Sequence, residues 1–534
     1  MKKIQVLDVT LRDGGCVNDF NFGQAYMDRI LDALEQSGIE FIELGYIDQK
    51  KGTESGRTQF CDEQVIEKHF LKNKKEGITY VAMMDYGKFD VDKFHQRSES
   101  GIDGIRLAFH KKDRMSIVEV GRKIIDKGYK FFVQPMITLR YSDKELLDLI
   151  EMVNNDIPDA SGFYIVDSFG EMRPNDMERV LNLVDHNLNE NIPLGFHSHN
   201  NLQMSYSNAV QLLQFPTNRE LMLDSSIMGM GKGAGNLNTE LLLEHMNLFY
   251  GKKYNVFPLL EVIDKVINQI HSEFYWGYAV EYYLSSINHC TPSYAGHFYN
   301  KHMLSVGQVS ELLGMIAEEK KISFDSEYAE ELYREYNARK ELDDEKTIKE
   351  LKEEFANKTV LLIAPGKSIR KEQDKINAVL GREDVISISL NHFNMFNTDY
   401  VFITREDVFG KAYENRRRMI VTSNISTEET RFIKVLDYKK RILVENGTQD
   451  SSGIIILNIL KEFNLERIIL AGFDGFSTNI NKNYYDRNMR HPVTVEQAAS
   501  RNKYFAGFVM RVREKVPVDF LTKSLYEEVG ADEN

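Results

Sequence analysis

The stretch Ile192-Pro193-Leu194-Gly195-Phe196-His197-Ser198-His199-Asn200 is a short apolar run that ends in two histidines spaced i and i+2. On a strand, residues at that spacing point to one face. A run that is apolar on both faces marks a parallel strand covered on both sides. This is the seventh of eight such runs: Ile4–Val9, Phe41–Tyr46, Thr79–Met84, Gly104–Phe109, Phe131–Ile137, Gly162–Asp167, Ile192–Phe196 and Glu220–Ile227. Stretches of helical period lie between them, among them Gln24–Ser37, Ile117–Lys127, Asp143–Asn154 and Asn175–Asn187. Eight βα units predict an α/β fold closed as a (β/α)₈ TIM barrel. An open doubly wound sheet has the same periodicity and stands as the alternative.

Closure has a chemical consequence. The eighth strand of a barrel lies beside the first, so the seventh, eighth and first runs become neighbours. The first run leads into Asp8-Val9-Thr10-Leu11-Arg12-Asp13-Gly14-Gly15, and the eighth is followed by Gly229-Met230-Gly231-Lys232-Gly233-Ala234-Gly235-Asn236. Asp13, His197, His199 and Asn236 can then converge on one ion at the barrel mouth, where barrel enzymes carry their sites. One carboxylate, two imidazoles and an amide oxygen favour Mn²⁺ or Mg²⁺; without a thiolate, Zn²⁺ is the weaker fit. Such a cation suits a 2-oxo acid, whose enolate it stabilises as a Lewis acid. Arg12 adds a fixed positive charge at the same oxygen. The glycine-rich 229–236 segment lacks the ending of a Walker loop.

The chain has 534 residues, too many for one core, so two or more domains are expected. With 42% hydrophobic and 28% charged residues it reads as globular. A net charge of −14 disfavours nucleic acid as a partner. Three cysteines, Cys16, Cys61 and Cys290, give no disulfide framework. An acidic residue comes too early for a signal peptide, and no apolar stretch is long enough for a membrane span. The expectation is a cytoplasmic protein acting on a small-molecule 2-oxo acid and an aldehyde, with a homo-oligomer left open.

The domains are read as follows. Residues 1–254 form the barrel, and 255–316, helical and aromatic, with the only tryptophan at Trp276, extend it. Residues 317–358, dense in Glu and Lys, read as a charged helical connector. A new αβ pattern begins at Thr359, so residues 359–534 are expected to be a second, Rossmann-like α/β domain. Its strands are read at Thr359–Ala364, Val385–Leu390, Tyr400–Thr404, Met419–Ser423 and Ile468–Ala471.

Asp8–Gly14, Phe196–Asn200 and Gly229–Glu240 together resemble the metal-dependent aldolase/lyase barrel superfamily. That group includes 4-hydroxy-2-oxovalerate aldolase, 3-hydroxy-3-methylglutaryl-CoA lyase and isopropylmalate synthase. The resemblance implies Asp13, His197 and His199 as metal ligands, with Asn236 a further ligand of part of the family. It implies Arg12 as the enolate-stabilising arginine, Glu43 as the carboxylate that orients it, and Ser168 as a substrate-side residue. The nearest sub-family looks like the 4-hydroxy-2-oxovalerate aldolases, whose post-barrel tyrosine corresponds to Tyr278 or Tyr282. Those aldolases carry a histidine acid/base where this chain has Cys16. A thiol can transfer protons only with a lowered pKa; His110 and Tyr141 are alternatives. The implied activity is carbon–carbon bond cleavage of a 4-hydroxy-2-oxo acid. A Claisen-type acyl-CoA synthase and a non-catalytic or glycosyltransferase-associated binding module are the alternatives.

The second αβ segment loosely resembles bacterial sialyltransferase-like domains through Ile363–Ser368, Asn391 in Leu-Asn-His-Phe, and Asp474 after Ile468–Ala471. That resemblance implies nucleotide contacts from Gly366, Ser368, Asn391 and Asp474, and a place in surface-glycan or unusual-sugar biosynthesis. Pro365 departs from the pattern, standing where that group has asparagine.

Overall fold

A computed structural model describes residues 3–52, 54–299, 304–338, 342–425, 428–441, 451–486 and 495–527. The chain divides into two compact units, Met1–Ala295 and Gly296–Asn534.

The first unit is the barrel. Its strands are β1 (Ile4–Asp8), β2 (Phe41–Ile47), β4 (Thr79–Asp85), β5 (Gly104–Phe109), β6 (Lys130–Pro135), β7 (Gly162–Asp167), β8 (Leu194–Ser198) and β9 (Leu221–Ser225). A two-residue strand, β3 (Gln59–Phe60), runs beside β2. All neighbours are parallel, and β1 pairs with both β9 and β2, which closes the barrel and excludes the open sheet.

Two apolar layers follow from strand alternation. Leu7, Val9, Phe41, Val81, Phe132, Tyr164, Val166 and Met222 fill the interior. Residues of opposite parity, such as Val6, Ile42, Ala82 and Ile105, join the helices in a separate outer core. Helix Asp143–Asp156 shows how those helices are fixed locally. Ser142 and Glu145 form a reciprocal capping box at its start, and Leu146, Leu149, Ile150 and Val153 are its buried stripe.

The second unit holds a seven-stranded parallel sheet in the order β14-β13-β12-β11-β10-β15-β16. These are β10 (Thr359–Ile363), β11 (Val385–Leu390), β12 (Tyr400–Ile403), β13 (Met419–Thr422), β14 (Ile433–Leu436), β15 (Arg467–Ala471) and β16 (Val518–Phe520). β14 and β16 are the two edges, short strands additional to the five read from sequence. Helix Glu345–Phe355 lies in the charged 317–358 segment, and its Leu351 and Phe355 are buried in this unit's core. Among the described residues no helix is long and apolar enough to cross a membrane.

Candidate active site

The site is assembled where β8, β9 and β1 end. After β1 the chain turns at once: the amides of Arg12 and Asp13 both donate to the Val9 carbonyl. Thr10 ties this turn to its neighbour, its hydroxyl accepting from the Ile227 amide at 2.8 Å. Asp13 is thereby held beside the histidines of β8. One ligand atom each from Asp13, His197 and His199 lies within 4.8 Å of the others, and all three residues are buried.

Asn236 completes the cluster. Its segment folds back onto β8 through a bridge to His199, and the Asn200 amide donates to the Gly235 carbonyl. Asn236 Nδ2 donates to Asp13 Oδ2 at 2.6 Å, while its Oδ1 is buried without a partner. Gly231 makes room for this pair, since a Cβ there would lie 2.4 Å from Asn236 Nδ2 and 2.7 Å from Asp13 Oδ2.

The imidazoles are oriented from behind. His197 Nδ1 bonds Asp224 Oδ2 at 3.0 Å, and His199 Nδ1 bonds the Lys232 carbonyl at 3.2 Å. Donation by Nδ1 leaves each Nε2 as a free lone pair, the arrangement found at metal-bound histidines. Burial pushes His199 down to about 4, partly opposed by Asp13, so its ring is neutral at ordinary pH. Burial would raise the Asp13 carboxyl, but Arg12, His199 and His197 outweigh it and hold it well below the usual carboxylate range. Two imidazole nitrogens, an ionised carboxylate and an orphaned amide oxygen fit a divalent cation.

Arg12 is fixed on two sides, Nε donating to Glu43 Oε2 and Nη1 to Asp13 Oδ1, both at 2.7 Å. Its Nη2 is buried without a partner. Behind it runs a network that the sequence reading missed. Arg106, fully buried, forms ion pairs with Glu43 at 3.0 Å and with Asp224, and packs over the Tyr164 ring. A lone arginine inside the apolar run Gly104–Phe109 was the available signal, because a charge is buried in a strand only when paired.

The other sequence candidates are placed differently. Ser168 accepts the Ile137 amide at 3.0 Å and so joins the loops after β6 and β7. Trp276 Nε1 donates to the Met228 carbonyl, which brings the post-barrel segment onto the 229–236 loop. Tyr278 is exposed, and Tyr282 is half-buried at the start of helix Val280–Ile287. The Tyr141 hydroxyl is buried beside Arg114, Glu145 and Asp113 rather than beside the cluster. Cys16 is solvent-exposed in the turn after Asp13, its amide donating to the Asp13 carbonyl, and surrounding protein and Asp13 push its thiol up to about 12. It therefore keeps its proton at neutral pH.

In the second unit, strand order reverses between β10 and β15, the place where open parallel sheets hold ligands. Residues including Pro365, Gly366, Ser452, Asp474, Tyr484 and Tyr526 line a cavity of 120 Å³ there. The Ser368 amide donates to Asp474 Oδ2 at 2.7 Å and its hydroxyl bonds the other oxygen, so Asp474 already occupies the donors of that turn. Asn391 is likewise engaged, with both amide atoms bonded to Thr404.

The sequence profile of the HMGL-like family matches residues 3–262, which span the whole barrel and its metal-type cluster. Over that range the barrel matches the HMGL-like family. Relatives of this HMGL-like barrel include a 4-hydroxy-2-oxovalerate aldolase of Pseudoalteromonas translucida, 26% identical over 50% of this chain and 76% of its own. A 4-hydroxy-2-oxovalerate aldolase of Comamonas testosteroni is 28% identical over 45% of this chain and 68% of its own. A solved N-terminal domain of a candidate aldolase from Bacteroides vulgatus is 24% identical, with a TM-score of 0.49, over 55% of this chain and 96% of that one. The family and its aldolase-named relatives make the chain an enzyme of the carbon–carbon lyase type.

Proposed function

We propose that the HMGL-like barrel is a divalent-metal-dependent aldolase that cleaves or forms the C3–C4 bond of a 4-hydroxy-2-oxo acid through a pyruvate-type enolate. The observation that carries this reading is the buried Asp13–His197–His199 cluster with the half-satisfied Arg12 guanidinium beside it. Asp13, His197 and His199 would hold the cation, with Asn236 Oδ1 the fourth protein donor. When bound, the metal supplies Lewis acidity to a 2-oxo acid.

The chain's own residues do the rest. Glu43 and Asp13 fix the guanidinium plane, so the spare Nη2 proton of Arg12 is preorganised for the oxygen on which negative charge develops. A hydrogen-bond donor of that kind is worth about 10²–10³ in rate. The Asp224 and Lys232 contacts engage Nδ1 of both imidazoles, which leaves each Nε2 available to a cation. Mn²⁺ or Mg²⁺ is the expected metal.

The test supplies purified protein and Mn²⁺ or Mg²⁺ with pyruvate and a series of aldehydes, and separately with acetyl-CoA and 2-oxo acids. Metal content is measured on the wild type and on His197→Ala. Aldol product from pyruvate, with stoichiometric metal lost in His197→Ala, is the expected outcome. Thiol release from acetyl-CoA without any aldol product would replace this reading by a Claisen-type synthase.

A further inference from the structure

The aldolase reading leaves one role unfilled, a group that takes the proton from the C4 hydroxyl. Cys16 stands where the resemblance implies a histidine acid/base. The geometry of β2 and β4 points elsewhere.

Val81 lies in the barrel interior while Tyr80, Ala82 and Met84 pack outward against the helices. Alternation along β4 therefore turns Asp85, its last residue, inward at the mouth. On the neighbouring strand, Glu43 pairs with Val81, but the next pairing is Tyr46 with Met83, so β2 carries one extra residue there. Without that bulge Gly45 would face inward. With it, Tyr46 does.

The bulge is built for this. A Cβ on Gly45 would lie 2.3 Å from the Thr58 carbonyl oxygen, so only glycine fits. The Tyr46 amide is held by that same carbonyl at 2.9 Å. Tyr46 pairs with Met83, so Asp85, two residues further along β4, is its diagonal neighbour on the same inward face, and the Tyr46 ring lies 6.3 Å from Phe20 in the loop that follows Cys16.

We propose that Asp85 is the proton-transfer residue of this barrel and that Tyr46 is the residue that positions it. The proposal rests on the aldolase reading. In the cleavage direction the Asp85 carboxylate takes the proton of the C4 hydroxyl. The O–H pair becomes the second bond of the aldehyde carbonyl, and the C3–C4 pair passes into the enolate. Asp85 then returns the proton to C3, giving pyruvate, so no co-reactant is needed. Asp85 is partly exposed, which leaves it open to substrate.

The groups facing Asp85 are Tyr46 from β2, Arg12 from the turn after β1, His110 from the end of β5, Lys88 from its own loop and Cys16 from the mouth. Burial raises its carboxyl above the ordinary range, while Tyr46, Arg12, His110 and Lys88 pull it back down. Raising a general base toward the working pH improves it. Burial and Asp85 itself push the Tyr46 phenol far up, so Tyr46 stays a donor.

The test compares the full-length wild type with Asp85→Asn, Tyr46→Phe and His110→Asn, each checked for metal content. Two reactions are followed: aldol cleavage of a 4-hydroxy-2-oxo acid, and CO₂ release from oxaloacetate. The second needs the metal site and Arg12 but no hydroxyl deprotonation. Asp85→Asn should lose aldol cleavage by about 10²-fold or more while holding metal at the wild-type level, and should lose much less of its CO₂ release, in which solvent can protonate the enolate and no hydroxyl proton is removed. Tyr46→Phe should lower aldol cleavage less than Asp85→Asn does and move the acid limb of kcat/KM to higher pH, because a group that lowers Asp85 is gone. Aldol cleavage at the wild-type rate in Asp85→Asn overturns the proposal and leaves the aldolase reading intact. Loss in His110→Asn alone would transfer the role to the histidine. A wild type that binds metal yet performs neither reaction removes the aldolase reading and this proposal with it.

Discussion

At the scale of single residues, the mouth of this barrel is a problem in placing protons. Arg12, Glu43, Arg106 and Asp224 form one buried chain of alternating charge that ends on His197. Each member fixes the next, so the His197 ring and the Arg12 donor are held in place by the fold itself. Cys16 stands outside that chain. With its thiol pushed up to about 12, thiolate is scarce at neutral pH. Cys16→Ser is therefore expected to leave kcat/KM for aldol cleavage within about threefold of wild type, since a proton-transfer group would be worth 10²-fold or more. Steady-state kinetics across pH 6 to about 9 would read this, and a collapse of rate would return the thiol to the mechanism.

At the scale of elements, the β2 bulge is the departure from an ideal strand that matters most. Phe41–Tyr46 reads as a plain buried strand, and a regular pleat would aim Gly45 at the mouth. The extra residue aims Tyr46 there and is tolerated only because Gly45 has no side chain beneath the Thr58 carbonyl. Gly45→Ala is expected to cost about 1–3 kcal/mol through overpacking and to weaken aldol cleavage by displacing Tyr46. Urea unfolding gives the first quantity and the aldol assay the second. An unchanged urea midpoint would show that the bulge relaxes without strain. In the second unit Gly366 is a similar case, since a Cβ there would meet the Gly472 carbonyl oxygen at 2.2 Å. That close approach of two backbones accounts for the glycine without a ligand.

At the scale of the whole molecule, the two units have separate hydrophobic cores, one around the barrel and one around the seven-stranded sheet. Separate cores predict separate unfolding steps. Every residue assigned to the cation lies in the first unit. Removing metal with a chelator should therefore lower one calorimetric transition and leave the other in place. The size is set by mass action, about 2.7 kcal/mol for metal at a hundred times its Kd. A single transition that moves as a whole would show that the units unfold together.

The sequence by itself determined the barrel and the motif that brings Asp13, His197 and His199 together at its mouth. All eight barrel strands lie on the apolar runs, because a strand covered on both faces has no choice but to be apolar. Asp13, His197, His199 and Asn236 were legible because each ends or follows such a run, and closure makes the ends of β8, β9 and β1 neighbours. The edge strands β14 and β16 were not legible, being only four and three residues long. Nor was the pairing of Arg106 with Glu43 and Asp224, or the turn of Tyr46 onto Asp85. Those contacts join residues far apart in the chain, and their direction depends on register and on one inserted residue. Periodicity records which positions are apolar; only the closed sheet decides which polar side chains meet inside it.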